Sequence, residues 1–116
     1  MAIIFHITKR DAWTRAKAEG IYRTEMFPLE GFIHCSTPDQ VIQVANIRFR
    51  GQTGLVLLSI DTDKVTAEII YENLEGGPQH FPHIYGELNI DGVVQVAEFE
   101  PGADGYFTLP KGEGVC

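Results

Sequence analysis

Hydrophobic and polar positions alternate at the start of the chain, over residues 2–8. Side chains along a strand point alternately to opposite faces, so this pattern predicts a first β-strand. One face carries Ile3, Phe5 and Ile7, and the other carries Ile4, His6 and Thr8. Thr8 or Asp11 can cap a following helix that runs to about residue 19, and Gly20 ends it.

The strongest helix start lies at residues 37–40, which read TPDQ. Thr37 is placed to cap the helix, Pro38 suits its first position, and Gln40 completes a capping box. Apolar residues at 41, 44 and 45 give this second helix one buried stripe, and glycines at 51 and 54 bound it.

Most of the predicted strands follow the helices. The run over residues 55–60, apolar except for Ser59, predicts a central strand covered on both faces. Further strands are predicted at residues 30–35, 67–71, 93–99 and, after a tight turn, within 102–110. Residues 81–88 contain Pro82 and read as an extended or turn segment, residues 89–92 read as a turn, and the last six residues are expected to fray.

Two early helices followed by five to seven strands favour an α+β fold. The 116 residues are expected to form a single domain, residues 1–116, with the two helices packed on a split, mostly antiparallel sheet. Sixteen acidic against nine basic residues give a formal net charge of −7, and no basic stripe is present. DNA, long RNA and anionic lipid are therefore not expected as partners.

The apolar run over residues 55–58 is far too short to span a membrane, and no charged segment precedes the first strand. Cys35 and Cys116 are the two cysteines of the chain, and without a dense disulfide framework they are expected to be free thiols. These features favour a cytoplasmic location, and the oligomeric state stays open.

The candidate chemistry lies in three pairs of residues spaced two apart. His6 with Thr8, His34 with Ser36, and His83 with Tyr85 each place an imidazole beside a hydroxyl on one strand face. If these strands are close, the pairs face one pocket that suits ribose hydroxyls or phosphate oxygens. The plainer alternative is that each histidine is half-buried and bonded to backbone. His80 lies in a loop and is expected to be solvated.

Three histidines could also bind a metal ion, with Glu72 orienting one of the imidazoles. Their spacing is not diagnostic of a metal site, and no metal is expected. A Cys-His nucleophile is disfavoured because His34 and Cys35 are consecutive and point to opposite faces. Ser36 lacks the Gly-x-Ser-x-Gly elbow of a serine nucleophile and more plausibly helps to cap the second helix.

Glu72 and Glu98 fall within or just after apolar strands, where a charge needs a partner or a purpose. The alternative for both, and the favoured one for Glu68, is an exposed strand face.

Three segments together resemble a small bacterial family of uncharacterised proteins, the domain of unknown function 952. They are residues 4–8 (IFHIT), 31–40 (GFIHCSTPDQ) and 81–86 (FPHIYG). The family looks like a compact member of the ADP-ribosyltransferase fold, which surrounds an NAD cleft. The resemblance implies that His6 and Thr8 match a His-Gly-Thr-like motif for the adenosine ribose and the nicotinamide amide, with Ile7 in place of glycine.

The same resemblance implies that Tyr22 stands where the fold places a ring-stacking tyrosine. A catalytic glutamate would stabilise the oxocarbenium-like state as nicotinamide leaves. Glu72, Glu87 and Glu98 are the candidates for it, and the sequence does not choose among them.

Three functions therefore stand as hypotheses. The first is binding of NAD or a related nucleotide in a cleft, with ADP-ribosyl or phosphoryl transfer. The candidate catalytic residues of this cleft are His6, His34, His83 and Glu72. The candidate ligand-binding residues are Thr8, Tyr22, Ser36 and Tyr85. The second is a two-histidine phosphoesterase-like enzyme, in which one imidazole takes a proton and the other donates one. The third is a non-enzymatic partner or sensor domain. No cofactor other than a possible NAD is expected.

Overall fold

The described part of the chain comprises residues 2–24, 29, 31–74 and 77–109 of a computed structural model. Its main elements are β1 (Ile3–Lys9), α1 (Arg10–Glu19), β2 (Ile21–Tyr22), β3 (Ile33–His34), α2 (Val41–Arg48), β4 (Leu55–Asp61), β5 (Glu68–Glu72), β6 (Phe81–Tyr85), β7 (Leu88–Asn89) and β8 (Val93–Phe99). Short 3-10 helices cover Thr62–Lys64 and Ile90–Gly92.

Strand β4 is the centre of the first sheet, in which it pairs antiparallel with β1 on one side and β8 on the other. All seven of its residues are buried. The continuous apolar run predicted a strand covered on both faces, and the structure confirms it.

The two faces of this sheet contribute to two separate clusters of buried side chains. One cluster joins Ile4 and Leu58 to Trp13 of α1, and the other joins Phe5 and Leu57 to Val41 of α2. Neighbouring residues of β1 thus enter different clusters, as the alternation in the sequence predicts. The fold is α+β with one helix packed against each face and antiparallel strand pairing throughout the described residues.

A second sheet has the order β3-β6-β5, and β2 pairs with β7 in a small third ladder. Pro82 lies in β6, the middle strand, where its carbonyl accepts the Cys35 amide at 3.0 Å. Backbone N and C=O of one residue face the same neighbour in an antiparallel pair, so the missing proline N–H faces the side where β3 has already ended. The ladder with β5 therefore loses no hydrogen bond.

The two larger sheets meet at one isolated bridge. Phe5 of β1 and Ser36 exchange two backbone hydrogen bonds, of 2.7 and 2.8 Å, and no longer ladder joins the sheets in the described residues. The strands thus form a split sheet, and β1 and β3 are the strands that border the split.

Several local predictions were wrong. Neither Thr8 nor Asp11 caps α1, because β1 runs directly into the helix and its capping position, Lys9, makes no side-chain hydrogen bond. Helix α2 begins at Val41 rather than after Thr37, although the Gln40 side chain does accept the Thr37 amide at 3.0 Å. Gly20 ends α1 with φ 89°, as predicted.

The strand predictions differ from the structure mainly at their ends. The strand expected over 30–35 shortens to Ile33–His34, and residue 30 lies outside the described residues. Residues 81–85 form a true strand, and 88–89 form a two-residue strand. No strand follows residue 99 within the described chain, so eight strands replace the expected five to seven. The last six residues, expected to fray, are not among those described.

Candidate functional site

A chain of hydrogen bonds crosses the split between the two sheets at His6. His6 Nδ1 lies 2.5 Å from the backbone oxygen of His34, and His6 Nε2 lies 2.7 Å from the Tyr22 hydroxyl. The same hydroxyl lies 2.9 Å from Thr8 Oγ1. His6 is 7% exposed and Tyr22 is 3% exposed, so this chain is buried.

The directions of these bonds follow from the carbonyl at one end. A carbonyl oxygen only accepts, so His6 Nδ1 carries the proton and donates to His34. The neutral imidazole then has a bare Nε2, which accepts the Tyr22 O–H, and the Tyr22 oxygen in turn accepts the Thr8 hydroxyl. Both ring nitrogens of His6 are therefore occupied.

Burial decides the charge states along this chain. Loss of hydration lowers the pKa of His6 from 6.5 to about 4, although the bond to the His34 carbonyl opposes the shift. Burial also raises the pKa of Tyr22 to about 12. Both groups are neutral near pH 7, which fits the bond directions above.

Tyr22 does not have the open ring face that the resemblance implies. Its ring packs against His6 at 5.2 Å between centroids and against Trp13 at 6.5 Å. The Tyr22 hydroxyl, rather than an open ring face, is what this side chain contributes to the hydrogen-bond chain.

A second polar cluster lies on the β3-β6-β5 sheet. Glu72 Oε2 accepts a hydrogen bond of 2.8 Å from His83 Nδ1 and another from the Tyr85 hydroxyl. These two bonds, with Tyr85 the larger cause, lower the pKa of Glu72 below its ordinary value, and the bond to Glu72 raises the pKa of Tyr85. Glu72 is therefore a carboxylate near neutral pH.

Aromatic rings hold His83 in place. Phe32 stacks on the His83 ring with 4.4 Å between centroids and 26° between planes. His34, the cross-strand partner of His83, meets it edge-on at 5.1 Å. Phe32 also contacts Tyr85, at 5.1 Å. His83 is 4% exposed, whereas His34 is exposed.

One cavity of about 860 Å³ connects the two polar clusters. Seven of the eight residues proposed from the sequence line it: His6, Thr8, Tyr22, His34, Ser36, Glu72 and His83. Tyr85 does not line the cavity but donates a hydrogen bond to Glu72, which does. Both members of the His6–Thr8 and His34–Ser36 pairs thus line one cavity, whereas only His83 of the third pair does.

The cavity also has a charged border that the sequence interpretation missed. Lys9, Arg15, Arg23 and Arg48 line it, whereas Glu19 and Glu72 are its acidic residues among those described. The basic residues come from β1, α1, the residue after β2, and α2, so no cluster is visible in the sequence. Only the packing of both helices beside the split brings them together. Phe32, which stacks on His83, lies within the segment 31–40, but the sequence pattern assigned it no role.

The other carboxylate candidates lie elsewhere. Glu98 pairs with Arg10, and Glu87 pairs with Arg23 at 3.1 Å. Both glutamates are solvent-accessible and neither lines the cavity. Of the three candidates for a catalytic glutamate, the structure therefore places Glu72 at the site.

Cys35 is a buried free thiol, as expected, and burial raises its pKa. Cys116 lies outside the described residues. His80 is exposed, in agreement with a solvated residue. Within the described chain no three His, Cys, Asp or Glu side chains are grouped so that they could hold a metal ion. Nor does that part of the chain contain a helix with the length and apolar character needed to cross a membrane.

The fold and the cavity define a class of small α+β protein with a split antiparallel sheet and a polar cavity beside the split. The chain belongs to the DUF952 family of proteins of unknown function, whose family model matches residues 7–96. No curated protein matches the chain.

Solved structures of protein CC0527 from Caulobacter crescentus are similar to this chain. Its crystal structure is 34% identical with a TM-score of 0.83, and the match covers 92% of this chain and 94% of that one. A double mutant of the same protein gives 35% identity and a TM-score of 0.82 with the same coverage. The solution NMR structure gives 34% identity and a TM-score of 0.80, and covers 91% of each chain.

Proposed function

We propose that the protein binds NAD or a closely related nucleotide in the cavity beside the split. The observation that carries the proposal is the charge of the cavity. Among the described residues, four of the eight basic side chains line it but only two of the twelve acidic ones, in a protein of net charge −7. A basic cavity in an acidic protein favours an anionic ligand.

The position of Glu72 refines the class of ligand. NAD carries a cationic nicotinamide ring as well as an anionic pyrophosphate, so its recognition needs both signs of charge. Arg15 and Arg48 suit the phosphates, because guanidinium groups bind phosphate oxygens through paired hydrogen bonds. Glu72, ionised and held by two hydrogen bonds, suits the cationic ring.

Size and polarity agree with this ligand. A cavity of about 860 Å³ lies within the usual range of roughly 300–1,000 Å³ for small-molecule sites. The Thr8 hydroxyl is only partly buried, and although its proton goes to Tyr22, its oxygen keeps a lone pair that can accept a ribose O–H. This is the arrangement expected if the resemblance to ADP-ribosyltransferases holds, and ADP-ribosyl transfer is part of the proposal on that basis.

Isothermal titration calorimetry with NAD, ADP-ribose and 2′-phosphorylated nucleotides tests the proposal. We expect Glu72→Gln to weaken NAD binding about threefold to tenfold and to leave ADP-ribose binding unchanged, because ADP-ribose lacks the cationic ring. Glu98→Gln is the matched control, since this carboxylate lies away from the cavity. Absence of heat with every one of these ligands at millimolar concentration would refute the proposal.

A second pair of variants tests whether the basic residues of the cavity bind the phosphates. Arg15→Gln should weaken NAD and ADP-ribose alike, because both carry the pyrophosphate. Arg50→Gln is the control, because Arg50 bonds the Tyr106 hydroxyl outside the cavity. If the two variants bind ADP-ribose equally well, the basic border of the cavity does not hold phosphate.

A further inference from the structure

His6 and His83 look alike in the sequence, but their ring nitrogens differ. Both nitrogens of His6 are used, one by the His34 carbonyl and one by Tyr22. His83 uses only Nδ1, which lies 2.8 Å from Glu72 Oε2. Among the described residues, His83 Nε2 has no hydrogen-bond partner.

We propose that Glu72 and His83 form a carboxylate–imidazole pair in which the bare Nε2 of His83 is a general base facing the cavity. In this pair His83 is the catalytic residue and Glu72 is a positioning residue. The inference rests on the proposed function, because the reaction assigned to the base uses the proposed nucleotide.

The tautomer follows from the contact with Glu72. A carboxylate only accepts hydrogen bonds, so the proton of neutral His83 resides on Nδ1 and Nε2 carries a lone pair. The two hydrogen bonds to Glu72 keep that carboxylate ionised near neutral pH. The role of the partner is the one that carboxylates play beside catalytic histidines, where they fix the tautomer and the ring orientation.

Access to the cavity follows from burial and packing. No buried side-chain nitrogen or oxygen of the described residues lacks a partner, so an unpartnered Nε2 must reach open space. His83 is one of the residues that line the cavity, and its side chain keeps a small exposed fraction of 5%. Phe32 covers one ring face and His34 meets the ring at an angle of 79°, so the direction of Nε2 is held before a ligand arrives.

A base at this position serves attack by water on the ribose of NAD. The water oxygen forms a bond to C1′ of the nicotinamide ribose while the bond from C1′ to the nicotinamide nitrogen breaks. The bonding electron pair goes to that nitrogen, which becomes neutral, and the proton of the water goes to His83 Nε2. The products are ADP-ribose, nicotinamide and one proton, which solvent receives when the base is regenerated. An acceptor hydroxyl could take the place of water in the same step.

The first measurement needs no ligand. Nitrogen-15 NMR distinguishes protonated from bare imidazole nitrogens, and we expect the neutral His83 ring of the wild-type protein to carry its proton on Nδ1. The amide introduced by Glu72→Gln can donate as well as accept a hydrogen bond, so it no longer requires the proton on His83 Nδ1. We therefore expect a larger fraction of neutral His83 to be protonated on Nε2 in this variant than in the wild type. Glu98→Gln should leave the His83 signals in place.

The second measurement is nicotinamide release from NAD, followed together with ADP-ribose affinity. His83→Asn retains a side-chain N–H for Glu72 but has no base at the Nε2 position. We expect nicotinamide release to fall by roughly 10² to 10⁴, the usual contribution of a general base, while the Kd for ADP-ribose stays within about threefold. His80→Asn, at an exposed loop residue, should match the wild type in both measurements.

The outcomes separate this inference from the proposed function. A neutral wild-type ring protonated on Nε2, or a His83→Asn variant that releases nicotinamide as fast as the wild type, would overturn the base. Wild-type protein that binds ADP-ribose but releases no nicotinamide would overturn the catalytic role as well. If NMR shows an unprotonated Nε2 but the protein binds neither NAD nor ADP-ribose, the proposed ligand is refuted, and the reaction on that ligand is refuted with it.

Discussion

Burial of neutral His6 makes the stability of the fold depend on pH. Burial lowers the pKa of His6 to about 4 in the folded protein, and in the unfolded chain an imidazole has a pKa near 6.5. Between these two values the unfolded chain binds more protons than the folded one. The free energy of unfolding therefore falls as the pH is lowered from about 6.5 to about 4, and this contribution does not change further at lower pH.

The size of the effect follows from the same two values. A separation from 6.5 to about 4 corresponds to roughly 3 kcal/mol, because one pKa unit is worth about 1.4 kcal/mol. Domains of this size are stable by only about 5–15 kcal/mol in total. One protonation at the split would therefore remove a large part of the stability.

Urea unfolding between pH 4 and 7.5 measures this effect. Trp13, the single tryptophan, is buried in the same cluster as Tyr22 and reports the transition by its fluorescence. His6→Asn can still donate to the His34 carbonyl but cannot be protonated. We expect it to be less stable than the wild type at pH 7, because the Tyr22 hydroxyl loses its acceptor, and to lose about 3 kcal/mol less on acidification.

A control is needed because carboxylates with lowered pKa values, such as Glu72, also lose their contribution in acid. His80→Asn retains those carboxylates and His6, so it should follow the wild-type profile. The reasoning would be refuted by a His6→Asn profile that runs parallel to the wild type from pH 6.5 to pH 4.

Two further predictions concern packing. Gly86→Ala should lower the free energy of unfolding, measured by urea titration, by about 1–3 kcal/mol, because the new Cβ would lie 2.7 Å from the Cβ of Ala67. Gly77→Ala is the control: its new Cβ would meet no atom within 4 Å, so the free energy of unfolding should hardly change. Cys35 is buried and its pKa is raised, so in a Cys116→Ser background it should react with a thiol reagent only as fast as the protein opens; rapid labelling of the folded protein would contradict this placement.

Features that depend on local periodicity could be predicted from the sequence. The alternation of β1 placed His6 and Thr8 on one face, and the apolar run over β4 identified the buried centre of the sheet. Both follow from where successive side chains of a strand point. The short strands β2 and β7 have two residues each, too few to produce a pattern, and they form only because tertiary packing brings them together.

The candidate site could be predicted less well, because it is built from contacts that the spacing of residues along the chain does not indicate. His34 was proposed for its imidazole, yet its backbone carbonyl is what fixes the tautomer of His6. Tyr22 follows a helix and matched the resemblance only loosely, but its hydroxyl joins His6 to Thr8. Every residue has a carbonyl, so the sequence holds no signal that singles out this one.

The same contacts bear on the two-histidine phosphoesterase hypothesis. That mechanism needs one imidazole that gives a proton while another takes one. His6 is a poor donor near pH 7, because burial lowers its pKa to about 4 and both ring nitrogens are occupied. Any hydrolysis of a 2′,3′-cyclic nucleotide should therefore survive His6→Ala in the fraction of protein that stays folded. A proton donor for the cavity would have to come from another side chain, and among the described residues His34 and His83 are the other imidazoles that line it.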